Sequence, residues 1–183
     1  METVSFTCMS NGTSEDYELL LSLEEKFVKD LPNRILKALE GLKISFDGYP
    51  ITRYEHSLQS ATRAHRNGED EEMVVAALLH DIGDTLAPNN HGELAAAILK
   101  PYVSRKTHWI VKRHGLFQLY YWVHHVGGNR YAREKYRNHP FYQATVDFCE
   151  KYDQNSFDPN YDSLPVDFFE PIVQRIFSKS PNF

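Results

Sequence analysis

The chain has few cysteines and no excess of positive charge. Among its 183 residues, Cys8 and Cys149 are the only cysteines, so no disulfide framework is implied. The formal net charge is −5 with histidine counted as neutral, whereas a protein that coats nucleic acid normally presents a basic face. The composition therefore argues against a disulfide-stabilised scaffold and against a nucleic-acid partner.

Long apolar runs are also missing. No stretch of the sequence approaches the roughly 20 apolar residues that a membrane-spanning helix needs. The N-terminal segment METVSFTCMSNGTSEDY lacks the basic region followed by an apolar segment that is typical of a secretion signal. These features predict a cytoplasmic protein that has no membrane partner.

The alternation of apolar and polar residues that marks a half-buried strand is nearly absent as well. Helical periodicity runs through most of the chain instead, and the length suits one domain. We predict a single all-α domain over residues 1–183, in which residues 1–14 are flexible and the metal-binding core lies at about 45–160.

Capping residues, glycines and prolines divide the helical pattern into segments. Gly115 is a candidate kink within the longest of them. The predicted helices cover residues 17–28, 32–41, 53–66, 73–80, 91–99, 104–125, 141–152 and 166–177.

Histidines and aspartates stand at intervals along these helices. His80 and Asp81 end the apolar run MVVAALLHDIGD, and His56 lies near the start of the preceding helix. A short turn between antiparallel helices brings the start of one beside the end of the other, so His56 and His80 are expected to be neighbours. A carboxylate at Asp81 can bridge two metal ions.

We therefore predict a dinuclear metal site in the core of the bundle. Imidazole and carboxylate ligands without a thiolate suit iron, manganese or another borderline metal. Asp147 and Asp158 compete with Asp153 for the last ligand position, which we assign to Asp153 because it lies late in a helix. The predicted ligands are His56, His80, Asp81, His91, His114 and Asp153.

The pattern H…HD…D formed by His56, His80-Asp81 and Asp153 resembles the HD-domain superfamily of metal-dependent enzymes. With His91 and His114 added, the ligand set is similar to that of the dinuclear iron branch. That branch includes myo-inositol oxygenase and the oxygenases that cleave the C–P bond of 1-hydroxyalkylphosphonates. The segment ITRYEHSLQSATRA is especially similar to the phosphonate-cleaving group, and the resemblance covers roughly Ile51 to Asp153.

This resemblance implies a single HD-domain helical bundle that holds two iron ions as an Fe2+/Fe3+ pair. It implies an oxygenase that uses O2 to cleave a small hydroxylated substrate, with the C–P bond of a 1-hydroxyalkylphosphonate as the leading target. The alternative is a phosphohydrolase of the same superfamily, which would use manganese or another divalent metal on a phosphate ester or nucleotide. A binding module with a degenerate site is disfavoured because all six ligand types are present. The sequence gives no indication of the oligomeric state.

The substrate pocket departs from that of the phosphonate-cleaving group. A tyrosine and a glutamate of the group correspond to Phe46 and Tyr49 here, and a lysine that grips the phosphonate corresponds to Gln118. Asp84 stands where the group has a further histidine. We expect Asp81 and Asp84 to be the catalytic carboxylates.

Charge and aromatic faces at Asp84, Tyr49 and Tyr54 favour a substrate with a cationic end. Lys112 and three arginines of the stretch 130–137, namely Arg130, Arg133 and Arg137, are the candidates for its anionic end, although all four also fit a solvated surface. The predicted substrate contacts are Tyr49, Tyr54, Asp84, Gln118, His124 and Arg137.

Overall fold

Side chains that cap helix N-termini set where the helices of the molecule begin. The hydroxyl of Thr52 accepts a hydrogen bond from the N–H of Glu55 (3.2 Å), while the Glu55 carboxylate accepts one from the N–H of Thr52 (2.6 Å). Asp70 accepts from the N–H of Met73 (2.9 Å), and Ser104 accepts from the N–H of Thr107 (3.2 Å). These caps satisfy N–H groups that a helix leaves free, and they fix the starts of three helices that carry site residues.

The computed structural model describes residues 2–182, and all its regular elements within that range are helical. The all-α prediction is therefore confirmed. Short 3₁₀ turns connect several helices, at Met9–Asn11, Gly41–Lys43, Val123–Val126 and Ala132–Tyr136. The α-helices are α1 (Ser14–Lys29), α2 (Leu31–Glu40), α3 (Arg53–Arg66), α4 (Glu71–Leu79), α5 (His91–Leu99), α6 (Arg105–Trp122), α7 (Tyr142–Phe148) and α8 (Val166–Phe177).

Helix α4 lies at the centre of the bundle. Every residue from Met73 to Leu79 is buried, and the helix packs against α3, α6 and α8. A helix that is apolar on all sides has to be enclosed by other elements. Its C-terminal end therefore delivers His80 and Asp81 directly into the interior of the domain.

The structure differs from the sequence prediction at two helices. The segment predicted as one helix over 141–152 is α7 followed by a π turn at Cys149–Asp153. Such a widened turn often marks a functional position, and this one carries Asp153. The segment predicted as one helix over 104–125 is α6, which runs through Gly115 and ends at Trp122, followed by a 3₁₀ turn at Val123–Val126.

A small residue lets α5 and α6 approach each other closely. A Cβ atom on Gly92 would lie 3.0 Å from the carbonyl oxygen of Val111 and 3.0 Å from the ring of His114. Glycine at this position therefore allows His91, at the start of α5, to stand beside His114. Within residues 2–182, none of the helices has the length and apolar character to cross a bilayer.

Candidate metal centre

The first part of the site is a cluster of three buried side chains from three different elements. His56 comes from the first turn of α3, His80 follows the last residue of α4, and Asp153 ends the π turn. The Nε2 atoms of the two histidines are 3.1 Å apart. Oδ1 of Asp153 lies 3.4 Å from Nε2 of His56 and 3.6 Å from Nε2 of His80.

A second cluster stands next to the first. His91 begins α5 and His114 lies in α6, with their Nε2 atoms 3.2 Å apart. Oδ1 of Asp81 is 3.3 Å from Nε2 of His91 and 3.2 Å from Nε2 of His114.

Asp81 lies between the two clusters and presents one carboxylate oxygen to each. Its Oδ1 faces the pair His91 and His114, as described above. Its Oδ2 is 3.6 Å from Nε2 of His56 and equally far from Nε2 of His80. This arrangement suits a carboxylate that bridges two metal ions.

The outer nitrogen of each imidazole is directed at a backbone carbonyl oxygen. Because a carbonyl can only accept, the Nδ1 atom must carry the proton, and the Nε2 atom of a neutral ring is left with its lone pair. Metal-binding histidines are commonly oriented in this way. The distances from Nδ1 of His56, His80, His91 and His114 to the carbonyls of Ser156, Ala77, Pro88 and Val111 are 2.9, 2.8, 3.4 and 2.7 Å.

With the protons on Nδ1, two pairs of Nε2 lone pairs face each other and carboxylate oxygens at close range. Such contacts are repulsive unless a cation lies among them. Oδ2 of Asp153 is also buried and lacks a hydrogen-bond partner within the described part of the chain. The donor set of imidazole nitrogens and carboxylate oxygens fits one divalent metal ion at each cluster.

The pKa values in the site follow from the same geometry. Burial opposes ionisation of Asp81 and Asp153, but the imidazoles that face them hold the pKa of both carboxyl groups well below the ordinary value. Burial lowers the pKa of His80, yet the neighbouring carboxylates outweigh this effect and raise it. The site thus keeps both aspartates ionised and favours a positive charge between them.

A cavity of about 630 Å3 adjoins the second cluster. His91 is among its lining residues, so this cluster is accessible from the cavity. At one side Tyr49 stacks on Phe157 (ring centroids 4.9 Å apart), and Phe157 in turn stacks on His56 (4.5 Å). The other lining residues include Arg53, Asn90, Glu93, Lys112, Leu116, Gln118, Leu119, Tyr121, Trp122 and Gln154.

A match to a protein-family model covers the segment that carries the metal centre. The HD-domain family model matches residues 53–154, which is more than half of the chain. The chain belongs to the HD-domain family. All six predicted metal ligands fall within the matched segment, and the resemblance seen in the sequence is confirmed at this level.

A curated relative of this HD protein is named "[1-hydroxy-2-(trimethylamino)ethyl]phosphonate dioxygenase (glycine-betaine-forming)" and comes from Leisingera caerulea. The two sequences are 41% identical over 66 residues, a match that covers 30% of this chain and 34% of the relative. The chain thus spans about a third of the length of the relative that it matches.

Arg53 also joins the centre of this HD domain, a role that is not predicted from the sequence. Its Nη1 donates to Oδ2 of Asp81 (3.3 Å) and its Nε donates to Oδ2 of Asp84 (3.1 Å). Arg53 precedes His56 by three residues, a spacing that places two side chains on the same face of a helix. That spacing was the signal in the sequence that could have revealed it.

The structure places Asp84 beside the metal ligands. Its carboxylate is largely buried, is paired with Arg53 and lies 3.6 Å from Nδ1 of His91. Asp84 lines a second pocket of about 520 Å3, which shares Arg53 and His91 with the main cavity, and is not among the residues that line the main cavity. Its role as the contact for a cationic end of a substrate stays a prediction.

Of the other predicted substrate contacts, the structure brings Tyr49 and Gln118 to the cavity and places three elsewhere. Tyr54 lies under the ammonium group of Lys43, with Nζ 4.6 Å from its ring centroid. His124 is exposed in the 3₁₀ turn after α6 and packs on His125 (4.0 Å). Tyr54 and His124 are therefore not among the residues that line the cavity, and their contact with a substrate stays a prediction.

The third displaced residue is Arg137. Its side chain is 75% exposed and donates to Glu134 at 2.8 Å, on a part of the surface with its own shallow pocket. Arg133 lines the same pocket. The basic stretch 130–137 therefore does not supply arginines to the cavity beside the metal centre.

Proposed function

We propose that this HD-domain protein is a dinuclear iron oxygenase that uses O2 to cleave the C–P bond of a small 1-hydroxyalkylphosphonate. The observation that carries the proposal is the position of Asp81 between two imidazole pairs, one of which borders an open cavity. The partial match to a phosphonate dioxygenase supports the substrate class.

The two clusters offer different numbers of protein ligands. The first combines His56 and His80 with Asp153 and one oxygen of Asp81, and it is fully buried. The second has His91, His114 and the other oxygen of Asp81, and it faces the cavity. A metal ion at the second cluster would keep open positions for the hydroxyl and one acidic oxygen of a substrate, as a catalytic site requires.

When bound, an Fe2+/Fe3+ pair supplies the activation of O2 that side chains alone cannot provide. The overall reaction is RCH(OH)PO3 dianion plus O2 giving RCOOH plus HPO4 dianion. The C–H and C–P bonds break, and one oxygen atom goes to carbon and the other to phosphorus. The substrate supplies the four electrons that O2 takes up, so no further reductant is needed.

The protein's own contribution is to orient the substrate and to keep bulk water away from the reacting carbon. Leu116, Leu119, Trp122 and Phe157 give the cavity an apolar wall that limits access of water. Tyr49, Tyr121 and Trp122 also present aromatic faces, and Glu93 adds a carboxylate. These groups suit a substrate whose other end carries a quaternary ammonium group.

The test is oxygen uptake by protein purified and reconstituted with iron in the absence of oxygen. The panel contains 1-hydroxyalkylphosphonates with and without a trimethylammonium end, together with phosphate esters and nucleotides. We expect O2 uptake and phosphate release in a ratio of about one to one by the balance of the reaction, and only with hydroxyphosphonates.

The matched control is the His80→Ala variant, which should show neither uptake nor release. Hydrolysis of a phosphate ester under nitrogen, with no oxygen uptake on any hydroxyphosphonate, would reject the oxygenase. That result would instead favour a phosphohydrolase, the other function that membership of the HD-domain family suggests.

A further inference from the structure

Two cationic side chains line the cavity beside the metal centre among the described residues, those of Arg53 and Lys112. Lys112 lies near the outside, with a side chain that is 36% exposed and 3.8 Å from Glu93. The side chain of Arg53 is only 15% exposed. An anionic group that enters the cavity therefore meets a desolvated cation at Arg53 and a solvated one at Lys112.

Arg53 is also the cation that stands closest to the metal ligands. Its Nη1 lies 3.3 Å from Oδ2 of Asp81, the oxygen that faces His56 and His80. A substrate that occupies the cavity next to His91 would present its acidic oxygens within reach of this guanidinium. Because the Arg53 side chain is only 15% exposed, a hydrogen bond between charged groups is worth more there than at the surface.

The guanidinium is held in place before any ligand arrives. Its Nε is bound to Asp84, and its Cζ lies 5.0 Å from the ring centroid of Tyr49 and 5.5 Å from that of Phe46. Fixing a long side chain in advance reduces the entropy that binding would otherwise cost. Asp84 thus acts as a positioning residue for Arg53.

The hydrogen bonds of Arg53 leave donors for a ligand. Asp84 uses the N–H on Nε and Asp81 uses one N–H on Nη1, whereas no acceptor among the described residues is bonded to Nη2. The planar fork of an arginine matches two oxygens of a tetrahedral phosphonate or phosphate.

We propose that Arg53 binds the phosphonate group of the substrate, held in position by Asp84. This assignment rests on the proposed function for the identity of the substrate. A phosphate monoester offers the same tetrahedral, dianionic chemistry, and the experiment separates these two sources. Gln118 lines the same cavity without a charge, and the cation next to the metal ligands is supplied by Arg53 of α3.

The experiment compares Arg53→Gln with Arg137→Gln, which makes the same change of charge at an exposed residue outside the cavity. The readouts are KM and kcat for oxygen uptake with a hydroxyphosphonate, the Kd of inorganic phosphate for the iron-loaded protein, and iron per chain. We expect Arg53→Gln to raise KM and the phosphate Kd by about 10- to 100-fold, as for loss of a hydrogen bond between charged groups. Arg137→Gln should match the wild type in every readout. Arg53→Gln also loses its hydrogen bond to Asp81, so KM and the phosphate Kd are measured on protein loaded to the same iron content as the wild type.

Arg53→Lys keeps the charge but loses the fork, so it should recover part of the binding. It also tests the proposal if Arg53→Gln fails to fold. Values of KM and phosphate Kd within about twofold of the wild type in Arg53→Gln would overturn the proposal, being far below the loss expected for a charged contact. Loss of iron with unchanged phosphate binding in the loaded fraction would also overturn it, because Arg53 would then only orient Asp81.

Failure of the proposed function gives a different result. If the wild type consumes no oxygen with any hydroxyphosphonate, the oxygenase is rejected. The Kd of inorganic phosphate still tests the role of Arg53. Weaker phosphate binding in Arg53→Gln would then show that Arg53 binds the phosphate group of an ester substrate.

Discussion

Gln118 connects the cavity to the buried part of the metal centre. Its amide Nε2 donates a hydrogen bond of 2.7 Å to Oδ1 of Asp153, and the residue also lines the cavity. Oδ2 of the same carboxylate has no hydrogen-bond partner among the described residues. The orientation of Asp153 beside His56 and His80 therefore depends on Gln118.

Replacing Gln118 with leucine keeps a side chain of similar size but removes the donor. Loss of an outer partner of a metal ligand typically weakens metal affinity by about 10- to 100-fold, or roughly 1.4 to 2.7 kcal/mol. We expect the metal affinity of Gln118→Leu to fall by an amount within this range. The assay is a titration of the metal-free protein with Fe2+ under nitrogen, in competition with a chromophoric chelator.

Gln154→Leu is the matched control. Gln154 lines the same cavity, but its side-chain amide donates to the backbone carbonyl of Glu150 at 3.3 Å rather than to a carboxylate of the metal centre. The metal affinity of the Gln154→Leu variant should equal that of the wild type. If Gln118→Leu kept full metal affinity and only raised KM, Gln118 would be a substrate contact alone and the reasoning from its bond to Asp153 would be refuted.

Three further predictions concern the core, the metal centre and the thiols. Phe148 is 1% exposed and packs edge-on against His80, so Phe148→Ala should lower the free energy of unfolding by about 3–5 kcal/mol in urea denaturation; a loss below about 1 kcal/mol would contradict this packing. His80→Ala should lose the metal ion of the first cluster, measured by elemental analysis as fewer ions per chain, and a variant that keeps two ions per chain would exclude His80 as a ligand. Burial raises the pKa of Cys149, whereas a hydrogen bond from Ser10 lowers that of exposed Cys8. Iodoacetamide should therefore modify Cys8 alone in the native protein, as peptide mapping can check, and equal labelling of both thiols would contradict the structure.

The helices and the six clustered side chains could be predicted because their signals are local. Caps such as Thr52 and Ser104 mark helix starts, and the apolar run 73–79 marks a central helix that ends at His80 and Asp81. The sequence offers three aspartates for the last ligand position, and helix position alone favours Asp153. The structure places Asp153 beside His56 and His80, while Asp147 accepts a hydrogen bond from Gln143 on an exposed face.

The surroundings of the cluster depend on contacts between segments that are distant in the chain. The Arg53–Asp84 pair joins residues 31 positions apart, and the bond from Gln118 to Asp153 joins residues 35 positions apart. Neither spacing is visible in a helical pattern. The charge of Arg137 predicts an anion contact but does not show which way the side chain points, and the side chain lies at the surface.

The central claim is that Asp81 bridges two metal ions held by four histidines and Asp153. The most direct measurement is Mössbauer and EPR spectroscopy, with iron analysis, on protein loaded with iron under nitrogen and partly oxidised. The account predicts two iron ions per chain and an exchange-coupled mixed-valent signal that Asp81→Asn abolishes. A single iron per chain, or two ions without magnetic coupling, would contradict it.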